Sequence, residues 1–204
     1  MSKSRILKVA FGKPGKQNLS TVTNAELEWG DLVSKFEEPA RDEHTLAEYL
    51  AMSVEEQRNW KNKGYFVGGH FKDGKRRKVN LESRSVVTLD IDDHADAVWD
   101  EIIYRDGIEG LKGLAYHVHT TRKHTVEKPR FRVLVPLAAD VTRDEYELVV
   151  RYVAELVDNG MMAVAAESFV TAQLMFMPSV CADGEFFHRT YDGKFLNPKA
   201  AFKK

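Results

Sequence analysis

The chain has a single cysteine, Cys181, in 204 residues. No disulfide can close within it, and a reducing cytosol is the expected setting. No apolar run approaches the roughly 18 residues of a membrane span, so no membrane partner is expected. The basic start, MSKSRILKVAFG, lacks the apolar core and small-residue cleavage site of a secretory signal. Internal repeats and low-complexity tracts are missing too. Neither sign of charge dominates: 30 Lys and Arg stand against 31 Asp and Glu, a net of −1. That balance argues neither for nor against a nucleic-acid partner, because distribution matters more than the sum.

What is present is globular composition. Hydrophobic residues make up 43% of a chain with six prolines, which is not the make-up of disorder. The length suits one good-sized domain and would crowd two. Basic residues gather in FKDGKRRKVN (71–80) and again between Lys112 and Arg132, whereas acidic residues concentrate in the expected helices.

The patterning predicts a strand in RILKVAFG (5–12) and a polar loop to about residue 22. Helical spacing follows over 24–38, interrupted by Gly30. A helix over 44–64 restarts at Ser53, where Ser53 and Glu56 form a capping box. Asp73-Gly74 reads as a hairpin turn between GYFVGGHF and KRRKVNL, since both turn positions accept positive φ. A strand over 86–92, a short helix over 97–104 and strands over 113–121 and 130–137 come next. Thr142 and Glu145 cap a helix whose Tyr146, Val149, Val150, Val153, Leu156 and Val157 share one face. A strand over 173–178 and a hairpin turning at Asp192-Gly193 complete the order. Intermixed helices and hairpins predict one α+β domain with a mixed or antiparallel sheet.

Three groups of residues carry chemistry. In SVVTLDIDD the apolar Val86, Val87, Leu89 and Ile91 make a buried strand, and Asp90 and Asp92 share one face of its end. Two same-face carboxylates suit a hard divalent cation, a buried Arg or Lys, or plain solvent. His117 and His119 share a face of the next strand. His–apolar–His on a strand is the metal-binding signature of rolling-circle and relaxase nucleases, which attack a DNA phosphate with a helix tyrosine. Tyr146 and Tyr152 lie on a helix, but neither has the lysine four residues on that this class usually carries. Third, Thr120, Thr121, Arg122, Lys123 and His124, followed by Arg130 and Arg132 on a strand, form a donor-rich run suited to a triphosphate. Carboxylates that hold metal, metal that bridges phosphate and cations on the phosphate's far side make a two-metal nucleotidyltransferase.

WGDLVSKF, EYLAMSVEEQ, KGYFVGG, SRSVVTLDID, TTRKHTVEKPRFRVLVPL, DEYELVVRYVA and QLMFMPS stand in an order that is specific as a set. Over roughly residues 8 to 197 the chain resembles a phage and prophage primase–polymerase domain of the archaeo-eukaryotic primase superfamily. That domain commonly precedes a virulence-associated-E-type helicase. The resemblance implies an RRM-like core over 1–204, with an N-terminal helical part at about 23–64 packed on it. It implies Mg²⁺- or Mn²⁺-dependent synthesis on a single-stranded DNA template from nucleoside triphosphates, in the cytoplasm of a bacterial host.

By the same resemblance, Asp90 and Asp92 match the metal-binding carboxylates of the first motif. His124 matches the phosphate-contacting histidine of the second, and Arg130 and Arg132 the paired arginines after it. Thr121 and Lys123 join them at the nucleotide. Relatives carry an acid shortly before the LMYWPS-like strand; this chain has Ala165 and Ala166 there, with Glu167 next as the substitute catalytic and metal-binding acid. Arg76, Arg77 and Lys78 are the expected template contacts. With no helicase motif in the chain, a helicase domain or subunit is an expected partner, and the chain is either a fragment or a stand-alone primase. Two alternatives remain open: a strand-nicking nuclease using His117, His119 and a helix tyrosine, and a degenerate nucleotide- or single-strand-binding module.

Overall fold

The computed structural model describes residues 5–15 and 19–203; residues 16–18 of the expected polar loop lie outside the described residues. Strand β1 (Leu7–Gly12) forms where expected and turns Leu7 and Val9 into the core. The helix expected over 24–38 does not form. Thr23–Leu27 is instead strand β2, paired antiparallel to β1, and only Trp29–Val33 is α-helical, as α1. The reason is a period of two: Ala25 and Leu27 pack inward while Asn24 and Glu26 face out. After the short strand β3 (Ala40–Arg41) come α2 (Leu46–Ala51) and α3 (Val54–Lys61). Each opens on a capping box, Thr45 with Glu48 and Ser53 with Glu56.

Strands β4 (Tyr65–Val67) and β5 (Gly69–Phe71) lead into the turn at Asp73 and Gly74, whose φ angles of 54° and 60° are the positive values expected. The return strand is not KRRKVNL. Lys75 bridges to Thr21 and Lys78–Asn80 form a 3₁₀ turn, so β5 pairs with the start of β6 (Leu81–Ile91), Phe71 opposite Leu81. The diacid strand is therefore longer than expected. Helix α4 (Asp96–Tyr104), strands β7 (Tyr116–Thr120) and β8 (Phe131–Val141), and helix α5 (Arg143–Val157) follow the expected order. Strands β9 (Met175–Phe176), β10 (Ser179–Val180) and β11 (His188–Tyr191) are short. Beyond Gly193 the chain does not fold back on β11 as a hairpin; Lys194 and Leu196 make parallel bridges to Leu114 and Leu137.

The result is an α+β domain with mixed sheets. Five antiparallel strands run in the order β11-β7-β8-β6-β5, four in the order β2-β1-β4-β9, and β10 pairs parallel to β3. Alternation along β6 decides what covers each face. Val87, Leu89 and Ile91 join Val98 and Ile102 of α4 and Val149, Val150 and Val153 of α5 in the largest core. Val86 and Leu134 of β8 pack on the other side against Leu7, Val9, Phe36 and Phe66. Burial on both faces is why β6 reads as a nearly unbroken apolar run. Among the described residues no helix is long and apolar enough to cross a membrane.

Candidate active-site cleft

Strand β6 ends beside Asp90, and Asp92 follows just past the strand. Asp90 lies opposite Arg132 on β8, Arg132 opposite His119 on β7, and His119 opposite His188 on β11. Directly paired residues share a sheet face, so these four make one polar row across four strands. Within it the Arg132 Nε donates to Asp90 Oδ1 at 2.5 Å, and Nη1 donates to the Phe176 carbonyl. The buried carboxylate of the opening motif thus already has a guanidinium opposite it.

The run containing Ala165, Ala166 and Glu167 lies directly against this strand end. The Asp92 N–H donates to the Ala163 carbonyl at 3.2 Å, and the Ala165 N–H to the Asp90 carbonyl at 2.9 Å. Ser168 Oγ accepts the Asp90 N–H at 2.9 Å. These bonds carry Glu167 to the edge of the site on a 3₁₀ turn, Ala166–Phe169.

The loop between β7 and β8 forms the facing wall. It is closed by the Thr121 N–H donating to the Arg130 carbonyl and the His124 N–H to the Thr121 carbonyl, both at 2.9 Å. Asp90, Asp92 and Glu167 line a single cleft with Thr121, Lys123, Arg130 and Arg132 of the loop and β8. Tyr49 of α2, Lys61 of α3 and Arg122 complete its lining. Arg122 is buried in an ion pair with Asp42, and its guanidinium lies 4.3 Å from the centre of the Tyr49 ring.

Charge in the cleft is unevenly settled. Burial, and then the neighbouring Asp90 charge, push the Asp92 carboxyl above its usual range, against a weaker pull from Arg130 at 3.4 Å. Burial pushes the Lys61 ammonium down, and Arg132 adds to that. Two hard carboxylates whose mutual repulsion is not fully offset are a fitting donor pair for Mg²⁺ or Mn²⁺. The fit is to a pair: among the described residues no group of three or more His, Cys, Asp or Glu side chains is arranged to hold a metal ion.

Other singled-out residues stand elsewhere. His124 does not line the cleft; it is buried behind it, 4.8 Å from the Trp99 ring centre, and its Nδ1 accepts the Arg130 N–H at 3.1 Å. Burial lowers its pKa. Arg76 donates to the carbonyls of Leu19 and Ala172 at 2.7 and 2.8 Å. Arg77 is exposed, and Lys78 pairs with Glu147 at 3.3 Å. His117 bonds Thr190 Oγ1, and His119 stacks on Phe36 with ring centroids 5.4 Å apart. Tyr146 is wholly buried, its hydroxyl accepting from Arg84 at 2.7 Å under a guanidinium 4.0 Å from its ring. A tyrosine held that way is not placed to attack a phosphate. Sequence reasoning missed Tyr49 and Lys61, whereas Arg122 belongs to the donor-rich run and does line the cleft. The only signal for Tyr49 and Lys61 is an aromatic and a charge on helices that no local pattern connects to the carboxylates.

A family model described as the VapE N-terminal domain matches residues 1–204. No curated protein matches the chain. Among solved structures, the AEP domain of the cyanophage S-2L primase-polymerase (PrimPol) is similar in outline. It is 11% identical, with a TM-score of 0.46, over 97% of this chain and 88% of that one.

Proposed function

The chain belongs to the VapE N-terminal domain family, and from that premise we propose that it is a primase–polymerase catalytic domain of a phage or prophage replication protein. It performs nucleotidyl transfer on a single-stranded DNA template, on an RRM-like core to which the segment at about 23–64 adds a wall. One observation carries this reading. Carboxylates from β6 and the 165–168 turn meet cations from the β7–β8 loop and β8 in one cleft, although they are far apart in sequence. A site with negative charge at one side and surplus positive charge at the other suits a metal-bound triphosphate.

In this reading Asp90 and Asp92 hold Mg²⁺ or Mn²⁺, with Glu167 as the third acid. The cation supplies Lewis-acid stabilisation of charge on phosphate oxygens. Thr121, Lys123, Arg130 and Arg132 bind and orient the triphosphate. His124 enters this group through Arg130, whose backbone N–H it holds. Arg132 also neutralises Asp90 while the carboxylate pair is without a cation. The exposed Arg77, with Arg76 and Lys78 beside it, meets the template backbone, and a helicase domain or subunit acts on the same DNA.

Incubation with single-stranded template, labelled nucleotides and Mn²⁺ or Mg²⁺ tests the proposal, beside an Asp90→Ala/Asp92→Ala control. Template-dependent extension lost in the control is the expected result, and cleaved or protein-linked DNA would overturn it. A second reading, a nucleotide-binding module without turnover, is favoured by the absence, among the described residues, of a group of three or more such side chains arranged to hold a metal ion. Triphosphate binding with no extension under either metal would establish that one.

A further inference from the structure

Lys61 lines the cleft beside the carboxylates without pairing with either of them. It sits on the last turn of α3, with its ammonium 5.5 Å from the centre of the Phe176 ring. Asp90 is already engaged by Arg132 and Asp92 by Arg130. Among the described residues Lys61 itself forms no ion pair. Its strongest charged neighbour is another cation, Arg132, ahead of Asp90 and Asp92, and Lys123 adds further repulsion. Lys123 stands nearby, its own ammonium 5.7 Å from the Tyr49 ring centre. Two ammonium groups in the cleft therefore lie over aromatic rings, and among the described residues neither forms an ion pair. Partly burying an uncompensated cation is costly. An anion entering the cleft would offset that cost.

We propose that Lys61, together with Lys123, is a phosphate-binding residue of the cleft, taking oxygens of the incoming nucleoside triphosphate alongside Arg130 and Arg132. The inference rests on the nucleotidyl-transfer reading and deepens it. One phosphate contact then comes from α3, an element that carries none of the carboxylates. The competing explanation is that Lys61 is a stand-in counter-ion for Asp90 and Asp92, and the two make opposite demands on a neutral variant.

The test uses the full chain and measures binding of a nucleoside triphosphate with EDTA present, beside Mn²⁺ binding by electron paramagnetic resonance. Lys61→Met is expected to weaken triphosphate binding by about tenfold or more, the worth of one hydrogen bond to a charged group. Lys61→Arg is expected to restore most of it. Binding of the unphosphorylated nucleoside should stay unchanged, and the melting temperature of Lys61→Met should not fall, because no native ion pair is lost. Triphosphate affinity equal to wild type in Lys61→Met, with tighter Mn²⁺ binding, would overturn the inference and leave the nucleotidyl-transfer reading standing. A wild-type chain that binds no triphosphate either with EDTA or with Mn²⁺ would overturn both.

Discussion

Asp90 and Arg132 face one another with side chains only 12% and 5% exposed. A pair this buried resists loss of one partner more than loss of both, because the survivor keeps its desolvation cost without compensation. Arg132→Met is therefore expected to destabilise the domain by about 3–5 kcal/mol in urea unfolding. Adding Asp90→Asn should recover most of that, and a double-mutant cycle reads the coupling directly. The histidines of the neighbouring strand make a second residue-scale prediction. Burial lowers the His117 pKa from 6.5 to about 4, and that of His119 well below its usual value. Between those limits the unfolded chain binds more protons than the folded one, so stability falls as pH drops from above 6.5 towards 4. The His117 shift alone is worth roughly 3 kcal/mol. Melting temperature measured against pH should show the fall, and His119→Gln should flatten it. Asp90 and Asp92 were legible as a same-face pair because alternation along a strand is local. Arg132 as the group opposite Asp90 was not, since only strand pairing brings them together.

Helix starts were the most legible elements. The boxes at Ser53 and Thr142 form as their spacing predicts, each side chain accepting from the backbone three residues on while the glutamate returns the bond. Everything a capping box needs lies within four residues. Thr142→Ala should cost about 1 kcal/mol of stability, read in urea unfolding. It should leave nucleotide binding unchanged, because α5 packs on the face of the sheet away from the cleft. Strand partners were the least legible. The stretch at 24–38 carried helical spacing from Trp29 onward, yet Thr23–Leu27 had a free edge of β1 to pair with and became a strand. Similarly, β5 found its partner at Leu81 instead of in the basic run after the turn. Local propensity is a weak prior wherever a sheet edge is available.

At the scale of the molecule, the segment before Gly64 is part of the cleft and of the core. Leu7, Val9 and Phe36 cover one face of the five-stranded sheet. Arg41 donates to the carbonyls of Cys181, Ala182 and Gly184, and Asp42 is buried against Arg122. A chain beginning at residue 65 should therefore fail to reach the native state, seen as loss of a cooperative thermal transition by circular dichroism. Its exposed sheet face would be a large apolar patch, and aggregation is the expected companion.

By itself the sequence determined the periodic elements, the capped helices, the α+β class and the identity of most charged residues in the cleft, because each depends on neighbours within a few positions. Tertiary structure decided the rest. Pairing of β6 with β8 put a guanidinium on Asp90, and the 163–168 segment brought Glu167 to the same strand end. Packing turned His124 and Tyr146 inward. Tyr49 and Lys61 were joined to the carboxylates by contacts across long stretches of chain. Such contacts depend on which surfaces must be buried together, a property of the whole fold that no window of sequence contains.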